Sequence, residues 1–282
     1  MANAIIPAAH PHGFASNSRP DNWWVGPISI LLGLLFFICY LTWAAFQGGH
    51  YWFSGGAIGY GGYLSPLYSP LIYIKDSIAG GAPMAHAWMG SWPAWWPAFL
   101  PASPAFLILP FPGLFRFTCY YYRKAYYRAF AWSPPACAVG GVPQKPYKGE
   151  TGLLLFQNIH RYAMYIALIF IFILYYDAFQ GFFRNGEFGV GVGSIVLLLN
   201  ATFLAGYTLG CHSFRHFIGG NRDCFSCSAG AKISHGLWKK STLLNIKHMN
   251  FAWVSLFWVA FSDFYVRMVS MGVWTDLNTW GM

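Results

Sequence analysis

The sequence predicts an all-α integral membrane protein with five transmembrane helices. Apolar residues make up 56% of the 282 positions and charged residues only 9%, whereas a soluble domain usually carries about 25% charge. The net charge is +9, but the basic residues lie in the connections between long apolar runs. That distribution is typical of membrane topology and lipid contact and does not favour nucleic-acid binding.

Hydropathy divides the chain into a single membrane domain, 25–271, with a segment 1–24 before it and a tail 272–282 after it. The first span is entered through the interfacial pair Trp23-Trp24, and the second contains several prolines, which predict a kinked helix. The connection 47–96 is rich in Gly, Tyr, Trp and Pro, and we expect an ordered cap at the outer interface. The five predicted spans are about 25–46, 97–120, 153–178, 188–210 and 246–271.

The basic residues predict the orientation of these spans. They concentrate between the second and third spans and between the fourth and fifth, so we expect a multi-pass cell-membrane protein with its N-terminus in the cytoplasm and its C-terminus outside. Residues 1–24 would then be cytoplasmic. The residues behind this prediction are Arg123, Lys124, Arg128, Lys145, Lys148, Arg215, Arg222, Lys232, Lys239, Lys240 and Lys247.

Two cysteines and two histidines fall at one depth in this topology. Cys119 and Cys211 each precede a basic residue by four positions, which places them about 6 Å inside the bilayer from it at ~1.5 Å per residue. His160 and His248 lie near the cytoplasmic ends of the third and fifth apolar runs. Intramembrane ionisable groups are costly and indicate function. We therefore expect four of the helices to form a cofactor-holding bundle.

Two thiolates and two imidazoles are the ligand set of a Rieske-type [2Fe–2S] centre, in which two histidines replace two cysteines on one iron. The cysteines can instead be small apolar side chains of membrane helices, and His160 and His248 are then natural axial ligands of a single haem b. Cys137, which follows two prolines, is the main rival of Cys119 as a cluster ligand.

A second group of polar residues surrounds the four donors. We expect Arg161, His212, Arg215 and His216 to hydrogen-bond a quinone or to support the ligands, although His212 and His216, spaced i, i+4, can also chelate a metal.

The pair Cys224 and Cys227 forms a CxxC that, with Cys211 or His216, can bind zinc. It lies in a loop beyond the span, and we interpret it as non-ligating. The reducing conditions of the cytoplasm also make structural disulfides unlikely there. The basic and aromatic segment Tyr120–Arg128 favours docking of a cytoplasmic partner over simple interfacial anchoring.

At these residues the chain resembles the membrane-anchor subunits of succinate dehydrogenases (succinate:quinone oxidoreductases), and in particular the single-chain anchors of actinobacteria. The Arg215-His216 pair is similar to a pair in the broader family. The stretches that carry the resemblance are Thr118–Arg128, Ser133–Ala138, Gln157–Arg161, Gly210–His216 and His248-Met249.

The resemblance implies a flavoprotein subunit that oxidises succinate and an iron–sulfur subunit that relays the electrons. The anchor would then help to reduce a membrane quinone such as menaquinone, so the chain would be an enzyme subunit without the succinate-oxidising residues. Related five-helix anchors commonly hold two b haems. Here the outer side offers only His50 and His86, both in the outer connection, so a second, outer haem is not expected.

A transporter or channel subunit is the alternative of another class. It predicts a polar path through the bilayer or broken half-helices at the midplane. The intramembrane polar residues gather instead toward one side, with Asp177 and Asp263 nearer the other. A purely structural anchor without a cofactor is the remaining alternative.

Overall fold

The protein was analysed as a computed structural model that describes residues 13–17, 19–57, 61–142 and 153–280. Four helices are long and apolar enough to cross a membrane, and the few strands are two residues long. The predicted class, an all-helical membrane protein, is therefore confirmed. The four helices are α1 (Val25–Gln47), α5 (Leu153–Gln180), α6 (Val192–Leu209) and α9 (His248–Ser270).

The predicted second span, 97–120, is not a continuous helix. Its helical part begins only at Ala105 and is divided into α2 (Ala105–Ile108), α3 (Pro110–Thr118) and α4 (Tyr120–Ala125), which a π-helical turn, Tyr126–Phe130, follows. Proline has no backbone N–H and clashes with the preceding turn, so the four prolines between 101 and 112 account for the late start and the break before α3.

The fourth span starts later than predicted because a hairpin precedes it. Strand β3 (Phe183–Arg184) pairs with β4 (Glu187–Phe188), and both residues of the turn, Asn185 and Gly186, have positive φ, as a tight hairpin of this kind requires. Phe188, predicted to open the span, therefore lies in the hairpin.

The connection between the last two long helices contains another helix, α8 (Ala229–Ile246), which the sequence did not predict. Ser228 caps its first turn by accepting a hydrogen bond from the amide of Ala231 at 3.1 Å.

Helix α6 lies at the centre of the bundle, packed against α5 and α9, while α3 packs on α5. Its buried face carries small residues, including Ala201 and Ala205, which let neighbouring helices approach closely. A Cβ at Gly206 would lie 2.6 Å from the ring of Phe251 on α9. The close α6–α9 contact therefore depends on that glycine.

Over its described residues, the segment 47–96 forms a cap ordered around buried aromatic side chains, as predicted. Strand β1 (Trp52–Phe53) pairs antiparallel with β2 (Tyr63–Leu64), and a 3₁₀ turn, Met84–His86, follows later. The rings of Tyr51 and Tyr68 stack at 4.6 Å in its core. The cap thus buries its own aromatic core beside one end of the helices.

Two buried ion pairs lie beneath this cap, one within α9 and one between the hairpin and the C-terminal segment. Arg267 contacts Asp263 at 3.3 Å, with both side chains fully buried, and Arg267 also donates to the carbonyl of Gly49 at 2.8 Å. The other pair joins Arg184 to Asp276 at 3.1 Å. Charges this deeply buried are tolerated only when further hydrogen bonds satisfy them.

Tyrosines supply those further bonds to Asp276. The hydroxyls of Tyr63 and Tyr265 each donate to its carboxylate at 2.7 Å. Burial is the main cause that raises the pKa of Tyr63 to about 12, so this hydroxyl keeps its proton at physiological pH. The cap and the C-terminal segment are therefore locked together around one carboxylate.

Candidate cofactor site

Both candidate cysteines lie at breaks between two helices. Cys119 separates α3 from α4, and Cys211 separates α6 from α7 (His212–Arg215). Their backbones are extended in the same way, with φ −66° and ψ 134° at Cys119 and φ −66° and ψ 144° at Cys211. The helical turn that follows each cysteine runs into a five-residue π-helical turn, a feature found often at functional sites.

The imidazole of His160 is oriented toward one of these thiols. Its Nε2 lies 3.1 Å from Sγ of Cys211, and its Nδ1 lies 3.0 Å from Oγ1 of Thr118. The Thr118 hydroxyl donates to the carbonyl of Leu114 at 2.8 Å, so it accepts from Nδ1–H. We infer that Nε2 carries the free lone pair and faces the thiol, which is the tautomer that binds a metal.

Aromatic rings hold both histidines in place. Phe115 stacks on His160 with ring centroids 4.7 Å apart, and Tyr207 stacks on His248 at 5.0 Å. Stacking on both sides of the site fixes the planes of the two imidazoles.

His248 is buried, and its Nδ1 has no hydrogen-bond partner among the described residues. A Cβ at Gly210 would lie 3.2 Å from that nitrogen, so the glycine leaves room beside it. Buried polar atoms are rarely left unsatisfied. A nitrogen of this kind fits a ligand that the protein chain does not supply.

The four predicted donors line one cavity of about 360 Å³. Cys119 and Cys211 are each only 3% exposed, and both belong to the core of the bundle. The four donors face the same space but do not lie close together. Among the described residues, no three His, Cys, Asp or Glu side chains are near enough to one another to hold a metal ion. Soft thiols beside neutral imidazoles nevertheless fit iron chemistry.

Three of the four predicted surrounding residues also line this cavity: Arg161, His212 and His216. Arg215 does not line it. It lies over the ring of Trp238 at 4.9 Å and donates to Asn245 at 3.3 Å. Burial, followed by the nearby charge of Arg215, lowers the pKa of His212 below its ordinary value, so this imidazole is neutral at physiological pH.

The remaining cysteines lie away from the cavity. Cys137 is exposed, and its carbonyl accepts a hydrogen bond from Arg19 at 3.0 Å. Cys224 and Cys227 are joined by a disulfide. The expectation that no structural disulfide forms in this loop is therefore wrong for that pair. The two cysteines are only three positions apart in the sequence, so the bond constrains no more than a local turn.

Sequence reasoning missed Thr118 and Tyr207, which contact His160 and His248, and Arg116, which lies beside Tyr207. Thr118 immediately precedes Cys119, and a hydroxyl next to a candidate ligand was a readable signal. Arg116 was a clearer one, because an arginine within an apolar run is rare. Tyr207 resembles any other aromatic residue of a membrane helix and carried no signal.

The fold and the site define a multi-pass helical membrane subunit with buried sulfur and nitrogen donors at one end of its bundle. A family model for the actinobacterial succinate dehydrogenase subunit SdhC matches residues 25–272. The solved structure of the Mycobacterium smegmatis Sdh1 complex in the apo form is similar with a TM-score of 0.79 and 39% identity, and the match covers 94% of each chain. No curated protein matches the chain.

The chain therefore belongs to the actinobacterial SdhC family and is a membrane subunit of a succinate dehydrogenase. The resemblance noted in the sequence is confirmed over nearly the whole chain.

Proposed function

We propose that this chain is the membrane-anchor and electron-transfer subunit of a succinate:quinone oxidoreductase. It passes electrons from an iron–sulfur subunit to membrane quinone through a Rieske-type [2Fe–2S] centre held by Cys119, Cys211, His160 and His248. The observation that carries the proposal is the 3.1 Å approach of His160 Nε2 to the Cys211 thiol. It brings the two kinds of Rieske ligand together in a buried cavity.

The thiol contact favours a cluster over haem. A single bis-His haem b between α5 and α9, the alternative, needs the imidazole nitrogens of His160 and His248 to face each other across a porphyrin. In this structure the ligating nitrogen of His160 faces sulfur, and the ring is held there by Thr118 and Phe115. The helix breaks at both cysteines also present two thiols to the cavity.

A bound Rieske centre supplies a one-electron store whose potential the imidazoles raise above that of an all-cysteine cluster. The chain's own residues do the rest. Thr118 fixes the tautomer of His160, and the stacked rings of Phe115 and Tyr207 exclude water. At the rim, Arg161 and His216 hydrogen-bond the quinone oxygens, and the neutral His212 passes protons to them.

In this arrangement the protein crosses the membrane five times, with α2 and α3 supplying the second crossing. The N-terminus is cytoplasmic and the C-terminus outside, which follows from the basic residues of the inner connections; of these, Lys145 and Lys148 lie outside the described residues. One redox site near one face means that succinate oxidation moves no charge across the whole membrane. A membrane potential that forms across proteoliposomes when succinate is added contradicts this proposal.

The partners are a flavoprotein subunit, which oxidises succinate, and the iron–sulfur subunit. The segment Tyr120–Phe130 supports docking of the latter, because Tyr120, Tyr127 and Phe130 are exposed beside Arg123, Lys124 and Arg128. Aromatic residues and arginine are enriched in protein interfaces.

The test uses the purified complex with Cys119→Ser and Cys211→Ser, and with Cys39→Ser as the matched control. Cys39 is a free, exposed cysteine of α1, remote from the cavity. We expect the two site variants to lose the EPR signal of the reduced Rieske centre and quinone reduction, while C39S keeps both. A sharp haem α band in the reduced-minus-oxidised spectrum, or an EPR signal unchanged in both site variants, overturns the proposal.

A further inference from the structure

Arg116 is a half-buried cation of the bundle that has no carboxylate partner among the described residues. Its guanidinium donates to the hydroxyl of Tyr122 at 2.5 Å, to the carbonyl of Ala252 at 3.2 Å and to the hydroxyl of Ser255 at 2.9 Å. All three partners are neutral. Within the described ranges Arg116 forms no ion pair, whereas the two fully buried arginines, Arg184 and Arg267, each contact an aspartate.

An uncompensated charge in this position is costly. Removing an ion from water costs several kcal/mol in a protein interior even after relaxation, and neutral hydrogen bonds recover only part of it. Intramembrane arginines are therefore rare and usually face a counter-charge or a functional site. The described residues give Arg116 no counter-charge, which leaves the group bound at the neighbouring site as its source.

Arg116 does not line the cofactor cavity itself but lies beside a residue that contacts one of its donors. It precedes Cys119 by three residues, and its guanidinium carbon lies 4.9 Å from the ring centre of Tyr207. Tyr207 in turn stacks on His248, and its buried hydroxyl has no hydrogen-bond partner among the described residues. The ring of Tyr207 thus separates the positive charge of Arg116 from the predicted ligand His248. The other predicted ligand, Cys119, follows Arg116 by three positions in the sequence.

We propose that Arg116 is the fixed counter-charge of the redox centre and sets its reduction potential. This inference rests on the proposed function. When the centre takes one electron from the partner iron–sulfur subunit, its net charge becomes one unit more negative. The guanidinium of Arg116 stabilises that extra charge, so the reduced form is favoured until the electron passes to quinone. No bond is made or broken in this step.

A purely structural role is the competing explanation, because Arg116 also links α3 to Ala252 and Ser255 of α9. The two roles differ in what they require of the side chain. A structural link depends on hydrogen bonds, whereas a counter-charge depends on the positive charge in a low-dielectric site, where it acts over several ångströms. Variants that change one property and keep the other separate the two.

The experiment is an EPR-monitored redox titration of the Rieske signal in the purified complex. We expect Arg116→Gln to lower the reduction equilibrium constant at least tenfold, which is about 59 mV for a one-electron couple. Arg116→Lys keeps the charge and is expected to retain most of the wild-type potential. Ser255→Ala removes a hydrogen bond and no charge, so its potential is expected to match the wild type.

Ser255→Asp provides an independent route if R116Q does not assemble. It places a carboxylate against the guanidinium, which neutralises the cation while keeping its size, and we expect a fall in potential like that of R116Q. A cluster of unchanged potential in R116Q or S255D, or a shift in S255A as large as in R116Q, overturns the inference. Absence of the signal from the wild-type complex instead overturns the proposed function itself.

Discussion

The hydroxyl of Thr118 offers the sharpest test of how the protein prepares His160 as a ligand. Thr118→Val keeps the shape of the side chain but removes the hydroxyl that accepts a hydrogen bond from His160 Nδ1 at 3.0 Å. A buried donor left unsatisfied costs about 1–3 kcal/mol. Loss of a partner that orients a metal-binding histidine typically costs about 10–100-fold in metal affinity, and the two ranges agree.

The assay is retention of the cluster during challenge with an iron chelator, followed by EPR and by iron content. We expect T118V to lose the Rieske signal about 10–100 times more readily than the wild type. Thr118→Ser restores the hydroxyl and is expected to restore retention. If T118V holds its cluster as firmly as T118S, the inferred tautomer of His160 is wrong.

Two further predictions concern Asp276 and Tyr63, which are hydrogen-bonded to each other. Asp276→Asn removes the ion-pair partner of the buried Arg184 and is expected to lower the free energy of unfolding by about 3–5 kcal/mol, measured by denaturant titration in detergent. The control is Glu187→Gln, at an exposed position of the hairpin that contains Arg184, and is expected to change the free energy little. An equal effect of both variants refutes the prediction. Burial raises the pKa of Tyr63 to about 12, above its unfolded value of about 10, so its stabilising contribution is complete below about pH 10 and is lost as the pH rises toward 12. Tyr63→Phe is expected to reduce this alkaline loss of stability, and an unchanged pH profile contradicts that reasoning.

Much of the fold could be predicted because the membrane imposes length and polarity. The first and last long helices begin and end within two residues of their predicted limits, 25–46 and 246–271. Hydropathy carries no information on turns, so Phe188, the last residue of the hairpin before α6, was predicted to open the fourth span. Helix α8 was missed because its exposed apolar residues, Ile233 and Leu237 among them, alternate with lysines and give no apolar run.

The shared depth of the four donors could be predicted from their distance to the basic residues, and all four do line one cavity. The direction of each side chain could not. Arg215 was placed at the site because it lies between His212 and His216 in the sequence. The helix begins anew at Cys211 and runs into a π-helical turn, and Arg215 contacts Trp238 instead. Local backbone breaks of this kind depend on tertiary packing and leave no periodic signal in the sequence.

Pulsed EPR of the reduced complex, read for nitrogen nuclei coupled to the iron–sulfur spin, tests the central claim most directly. We predict two strongly coupled imidazole nitrogens, one of which disappears in His160→Ala and the other in His248→Ala if the cluster survives the change. A reduced complex without any coupled nitrogen, or with couplings that persist unchanged in both variants, contradicts the account.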